Sequence, residues 1–394
     1  MDVSRICVDL IKIKSENPPG QTAEVIEYIR DFFGKIGISS SVTGNTSGEC
    51  NIVTSGTGNH LLLCGHVDVV PALEEGWKYP PFSGIIEDSC IWGRGATDMK
   101  GGCASILNAC ESLVNQDIPL PATIAFVCDE ETGGDNGIQK LLLGTQIAPC
   151  DCLIAEPSPV RNPSIGQKGL CRLELLFSGT PAHGSLYPAV GESAIMGAMT
   201  LLEHVKKLHR RNYPVDDRLS DIIEKSSRVL AREFEAPGVS KILKKITFNP
   251  GIISGGEKSN VVAQHCRLEL EFRIPFGCSI AGLIADVSSH APRSTIVSQS
   301  VHEPSMTDPE SRIVTTTCKE ISGTYGGEVF PIVQWAASDA RHLRRAGFRV
   351  VEYGPGVIST LHAANERVRI DSLEKASRIY QGIMRAYASS THEN

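Results

Sequence analysis

The stretch "LLLCGHVDVVP", Leu61 to Pro71, decides how this chain is read. Four apolar residues run into Gly65, and then come His66, one residue, and Asp68. A short continuous apolar run of this kind is a buried strand. A strand that reaches the surface and stops in His-x-Asp is either a decorated edge or half of a site.

Working outward, the same pattern recurs. "ATIAFVCDEE", Ala122 to Glu131, is a buried strand ending in acids, and "CDCLIAEP", Cys150 to Pro157, ends the same way. "CNIVTS" (Cys50 to Ser55) and "GIIEDSCIWG" (Gly84 to Gly93) read as further short strands. "TAEVIEYIRDFFGKIG" (Thr22 to Gly37) and "GGCASILNACESLVNQ" (Gly101 to Gln116) have helical spacing. Strands alternating with helices predict an α/β fold with a mixed, mostly parallel sheet sandwiched by helices. In such sheets ligands collect at the carboxyl ends of the strands.

From about Gly169 the texture changes. "CRLELLFSG" (Cys171 to Gly179) and "CRLELEFRIP" (Cys266 to Pro275) alternate apolar and polar residues, as a sheet with one wet face does. A long helix, Ser193 to Arg211, lies between them, and the stretch 216–246 is charged and helical without turn chemistry. These features predict a smaller α+β lid inserted into the first domain. The expected division is 1–168 and 296–394 for the catalytic domain and 169–295 for the lid. A helix is expected from Ser372 to the end.

The bulk composition fits that division. The chain has 394 residues, 41% hydrophobic and 21% charged, which suits two ordinary folded cores. A net charge of −7 with no Lys/Arg-rich run argues against a nucleic-acid partner. No apolar run approaches a membrane span, and no signal peptide is expected. Thirteen cysteines, mostly inside apolar strings, read as free thiols of a reduced, cytoplasmic protein. Cys150-x-Cys152 sits on a strand, where alternate side chains diverge, so it is not read as a metal pair.

Five pieces fall at strand ends or in the loops after them: His66 with Asp68, Asp98 in "GRGATDMKGG", Glu130 and Glu131 in "CDEETGG", Glu156 in "IAEPS", and His362 in "STLHAANE". Taken singly each is ordinary: a solvated histidine, a helix cap, a wet loop. Gathered at one sheet edge they make a dense negative pocket, which is unstable unless a cation sits in it. Histidine and carboxylate donors without cysteine suit zinc, cobalt or manganese. The donors exceed what one zinc needs, and a carboxylate shared by two ions about 3.5–4 Å apart accounts for them. One acid is left over as a general base. Gly93-x-Gly95 lacks the third glycine and the preceding long strand of a dinucleotide fingerprint, so it is read as close backbone approach instead.

These strings, with "GHVDVVP", "GTPAHGS", "GGEKSNVV", "EFRIP", "ASDARHL" and "GPGVISTLHAANE", span Leu61 to Glu366. In this order they resemble the dizinc amidohydrolase family of succinyl-diaminopimelate desuccinylase, acetylornithine deacetylase, aminoacylase and carboxypeptidase G. The resemblance implies that His66, Asp98 and Glu156 hold one metal and Asp98, Glu131 and His362 the other. Asp68 would orient His66, and Glu130 would be the general base. The Asp98–Met99 peptide would be cis. His183 would reach the partner subunit's site in a homodimer formed through the lid, and help hold the oxyanion. Asn260, Arg273 and Arg341 would contact the substrate, and Gly354 to Gly356 would shape the loop before His362. Gln167-Lys168-Gly169 stands where desuccinylases have Arg-Arg-Gly, and Lys168 would still supply charge to the substrate. Ala336-Ala337 replaces their Gly-Thr.

The expected activity is zinc-dependent hydrolysis of the amide of small N-acyl amino acids, as in amino-acid biosynthesis, with N-succinyl-diaminopimelate and N-acetylornithine foremost. The alternatives are a dipeptidase or carboxypeptidase on the same centre, or a metal-free binding protein. The last is expected only if a ligand or Glu130 had been replaced, and none has.

Overall fold

The computed structural model describes residues 2–55, 57–234 and 238–388. Leu61–His66 is buried along its whole length and lies between two parallel neighbours, Thr123–Val127 and Asp151–Ile154. Arg349–Glu352 continues the parallel set beyond Asp151–Ile154. Buried faces explain why these segments read as continuous apolar runs. Antiparallel strands extend the sheet, Cys50–Thr54 and Ser40–Gly44 on one side and Ser164–Gln167 with Ser305–Met306 on the other. Ile332–Gln334 pairs parallel with Ser164–Gln167.

Helices pack onto this sheet as expected for the α/β class. Lys100–Val114 packs against Leu61–His66 and against Val3–Lys12 and Ile370–Ala388. The last of these begins two residues before the expected Ser372; residues 389–394 lie outside those described. "GIIEDSCIWG" is a hairpin instead of one strand. Its arms, Ile85–Glu87 and Cys90–Trp92, are joined at Asp88 and Ser89, whose φ values of 52° and 59° are those of a tight two-residue turn.

The lid is a four-stranded antiparallel sheet in the order Thr247–Gly255, His265–Ile274, Gly169–Ser178, Ser294–His302. The last strand spans the boundary expected at 295/296, so the sheet runs on to His302. Ala194–Leu208 and Ile280–Ser289 bury Ala198, Leu201, Val205, Leu283 and Val287 with Leu173, Leu175, Phe177, Leu268 and Phe272 of the strands. The alternation read from the sequence is that dry face. The stretch 216–246 forms Asp217–Phe234 and Val239–Ile242, with 235–237 outside the described residues. Among the described residues no helix is long and apolar enough to cross a membrane.

One contact fixes the height of the helix over the sheet. A Cβ on Gly102 would meet the Ala155 carbonyl oxygen at 2.3 Å, and one on Gly354 would meet it at 2.1 Å. Glycine at both places lets helix and loop close on the strand end that carries Glu156. Helix propensity alone favours Gly102→Ala by about 1 kcal/mol. The backbone clash outweighs it, and we expect Gly102→Ala to destabilise the fold by about 1–3 kcal/mol in urea unfolding. A stabilised variant would show that the helix can lift at no cost.

Candidate metal centre

Three neighbouring parallel strands deliver the donors. Leu61–His66 ends in His66; Asp151–Ile154 runs through Ala155 to Glu156; Thr123–Val127 leads to the short 3-10 turn Glu130–Thr132. Asp98 lies in the loop before Lys100–Val114, and its peptide bond to Met99 is cis. His362 follows the turn Ile358–Thr360 in a left-handed conformation, φ 57°. A histidine seldom adopts that conformation without support from its surroundings.

The structure brings these side chains together around Asp98. His66 Nε2 is 3.0 Å from Asp98 Oδ1, and His362 Nε2 is 3.2 Å from Asp98 Oδ2. Glu156 Oε1 lies 3.6 Å from His66 Nε2, and Glu131 Oε2 lies 3.3 Å from His362 Nε2. Each imidazole thus has one private carboxylate and shares Asp98 with the other. The far oxygen of Glu131 is buried and has no hydrogen-bond partner. An acceptor left bare in a dry pocket of carboxylates fits a cation.

The tautomer of His66 follows from its other nitrogen. Nδ1 donates to the Asp68 backbone carbonyl at 2.9 Å, leaving Nε2 as the donor atom for a metal. The Asp68 carboxylate is farther, 3.4 Å from Nδ1, and does more than orient the ring. It accepts the backbone N–H groups of Glu130 and Glu131, both at 3.2 Å, and the Asn17 side-chain amide at 3.0 Å. One buried carboxylate therefore ties the histidine end of one strand to the Glu130–Glu131 turn of the next. Arg341 Nη2 and His342 Nε2 both donate to the Gly133 carbonyl, each at 3.0 Å, and hold the far end of that turn.

The electrostatics record the crowding. Burial, together with Asp339 and Glu131, pushes Glu130 well above the ordinary carboxylate range. Burial and Asp98 do the same to Glu156 and raise Glu131. Burial also opposes ionisation of Asp98, but hydrogen bonds from His362 and His66 outweigh it and hold that carboxyl low. His362 is raised to about 10, chiefly by Asp98 and then Glu131. Burial would lower His66, yet its bonds to Asp68 and Asp98 win and raise it well above its usual value.

Arg273 and Arg341 line the same cleft, of about 360 Å3. Arg341 is buried, 3.9 Å from Glu130, with its Nε unpartnered; Arg273 Nη1 is likewise buried and unpartnered. Other expected residues lie elsewhere. Lys168, expected at the substrate, turns away from the cleft: its ammonium donates to the carbonyls of Ile242 and Lys245 and to Thr247 Oγ1, closing the end of the lid helix Val239–Ile242. Burial there brings it down to about 7. Gly354 does not line the cleft but packs against Ala155. His183 and Asn260 are exposed on the lid, joined through the Gly184 amide and the Asn260 carbonyl at 2.7 Å, and line no part of this cleft.

The sequence reading assigned nothing to Arg94, Glu366 or Asn17. Glu366 is fully buried, accepts the amides of Thr97 and Asp98 at 2.9 and 3.0 Å, and pairs with Arg94 at 2.6 Å. Arg94 also donates to the His362 carbonyl. The pair thus fixes Asp98 and His362 together. Both sat in quoted strings, "WGRG" and "HAANE", as the polar members next to a ligand. A separate group, His204, Asp286 and His290, occurs in the lid, but each imidazole is hydrogen-bonded to Asp286 and Arg211 neutralises it. That trio satisfies itself.

A set of two imidazoles, one buried and one exposed, and three carboxylates at the end of a parallel sheet is the centre of a metallohydrolase. The chain belongs to Peptidase family M20/M25/M40, which it matches over residues 62–386, and it is an amide-bond hydrolase. It is 28% identical to the succinyl-diaminopimelate desuccinylase of Marinobacter nauticus over 357 residues, 86% of each chain. It is 26% identical to a probable carboxypeptidase S-like 2 of Dictyostelium discoideum over 375 residues, 82% of this chain and 71% of that one. The crystal structure of an M20 family metallo-carboxypeptidase from Sulfolobus solfataricus superposes with a TM-score of 0.79 at 20% identity, covering 98% of this chain and 99% of the other.

Glu130, Glu131, Glu156, His66 and His362 all bind protons more tightly folded than unfolded. Their contribution to stability is present at low pH and is lost as pH rises toward the raised values. Asp98 has the opposite sign but acts only below about pH 4. A cation must displace those protons. We therefore expect the rise in thermal midpoint on adding zinc to chelator-treated protein to grow between about pH 5.5 and about pH 7.5. An increment independent of pH would contradict this donor set.

Proposed function

We propose that the chain hydrolyses the amide of an N-acyl amino acid, with two divalent cations held by His66, Asp98 and Glu156 and by Asp98, Glu131 and His362. The observation that carries this reading is Asp98, which turns one oxygen to each histidine. Bound there, the cations, zinc foremost, supply Lewis acidity toward the amide carbonyl and make water a stronger acid. Cobalt and manganese suit the same donors.

The chain's own residues do the rest. Glu130 is mostly shielded at the cleft, lies outside both donor sets and has a raised pKa, so it can take a proton from water and return it to the leaving nitrogen. Asp68 and the Arg341 and His342 bonds to Gly133 hold its turn in place. Arg341 and Arg273 line the cleft, and their guanidinium groups suit a substrate carboxylate. The same donors would take the carboxyl terminus of a peptide, so a carboxypeptidase or dipeptidase is the second reading.

We place the lid in 169–302, past the boundary expected at 295, and the catalytic domain in 1–168 with 303–394. His183 reaches the site from a second copy of the chain. Support comes from the surface around it. Thr247–Gly255 is an open sheet edge, and Ile252, Ile253, Met196 and Met199 are exposed there and on the neighbouring lid helix. An open edge with apolar neighbours is a natural pairing surface. The imidazole Nδ1 of His183 accepts from the Ser185 amide, leaving Nε2 to act. All thirteen cysteines are free, in keeping with a cytoplasmic setting.

Glu130→Gln should lower kcat at least about 100-fold while the protein retains two equivalents of zinc. Wild-type rates in that variant would remove Glu130 from the role of base. Mixing inactive Glu130→Gln and inactive His183→Ala chains should restore measurable activity through hybrid dimers. Absence of rescue, with hybrids demonstrated, would confine His183 to its own subunit.

A further inference from the structure

The stretch 216–246 had no role in the sequence reading. Its long helix, Asp217–Phe234, ends beside the catalytic cleft, where Phe234 lines the wall next to Trp335. The two rings meet edge to face, with centroids 4.9 Å apart and planes at 67°. Aromatic pairs favour that arrangement.

The helix is anchored to the catalytic domain. Ile223, Val229 and Leu230 pack with Ile332 and Val333 in an apolar core separate from those of the sheet and the lid. The Val333 amide donates to Ser226 Oγ at 3.0 Å. Val333 stands two residues before Trp335, so insert and wall form one unit. Beyond Trp335, Ala336 and Ala337 present methyl groups to the cleft.

The charges of the cleft decide what such a wall can take. Its lining acids are Asp98, Glu130, Glu131 and Glu156, all placed in the donor sets or as the base. The remaining charged side chains that line it, apart from His362, are Arg172, Arg273 and Arg341. Among the described residues, a distal ammonium on the substrate would meet Arg341 and the Arg172–Glu271–Arg273 cluster, in which one carboxylate pairs two guanidinium groups, and no unassigned carboxylate lines the cleft. An aromatic face alone attracts a cation. Here the three guanidinium groups outnumber the one carboxylate, Glu271, that pairs with Arg172 and Arg273, and the excess positive charge disfavours a further cation.

We infer that Phe234 and Trp335 form the specificity wall of this site and select N-acyl amino acids with an apolar, preferably aromatic, side chain over N-acyl diamino acids. The inference rests on the amidohydrolase reading proposed above. It displaces N-acetylornithine and N-succinyl-diaminopimelate, both of which carry a free ammonium, from the front of the substrate order.

The test compares kcat/KM of the zinc-loaded full chain on N-acetyl-phenylalanine, N-acetyl-methionine, N-acetylornithine and N-succinyl-diaminopimelate, each with and without chelator. Wild type should favour N-acetyl-phenylalanine over N-acetylornithine at least tenfold. Phe234→Ala should cut that ratio roughly tenfold to a hundredfold, mainly through KM, and Phe234→Leu should recover part of it. Trp335→Phe, a milder change, should also shift the ratio and serves if Phe234→Ala does not fold. An unchanged ratio in the folded variants overturns the wall. Chelator-sensitive cleavage that favours the diamino acids overturns it while leaving the two-cation amidohydrolase standing. No cleavage of any of the four overturns both.

Discussion

Four carboxylates and two imidazoles meet at one cleft, and the mutual repulsion of the carboxylates is the constraint around which this chain is built. Shut away from water and crowded, such a cluster neutralises by taking up protons, so burial first and then neighbouring carboxylates raise Glu130, Glu131 and Glu156. The alternative is to admit divalent charge. Either way the donors must be held where they would not settle unaided. The polar groups behind them supply that restraint: Asp68 on two backbone amides, Glu366 on two more, and Arg94 across from Glu366.

These restraints share a logic. Each joins a ligand-bearing segment to another segment far away in sequence. Asp68 links the end of one parallel strand to the turn after its neighbour, and Glu366 links the loop of Asp98 to the loop of His362. The bonds are charge-assisted and buried, so they are stronger than surface contacts and costly to break one at a time. A site so braced does not rely on a bound cation to order it.

The lid contributes in a different way. Its alternating strands bury one face under two helices, which is a core of its own. The insert adds a third apolar core that includes residues of the catalytic domain, so lid and catalytic domain are packed together on that side. Lys168 belongs to the same arrangement. Its amine donates to backbone carbonyls at the end of Val239–Ile242 and is not offered to the cleft. Arg273 remains as the lid's guanidinium with a bare donor, beside Arg341 from the other domain.

The gathering of His66, Glu131 and Glu156 was legible in the sequence because its signal is local. An apolar run that stops in His-x-Asp, Asp-Glu-Glu or Ala-Glu-Pro marks a strand and its carboxyl end, and parallel strands bring those ends to one edge. The α/β class and the alternating texture of the lid follow from the same periodicities. Where a long side chain turns is not local. Lys168 was read as a substrate contact from its motif, yet its ammonium turns to the helix end that the insert provides, more than 70 residues away. Gly354 was read as part of the site's loop, yet what requires glycine there is the Ala155 carbonyl facing it. The Arg94–Glu366 pair and the Phe234–Trp335 contact join residues 272 and 101 positions apart. The sequence by itself determined which chemistry the chain carries. Only the tertiary structure decided which polar side chains face the cleft and which close the scaffold, because that choice is made by partners from distant segments competing for the same donors and acceptors.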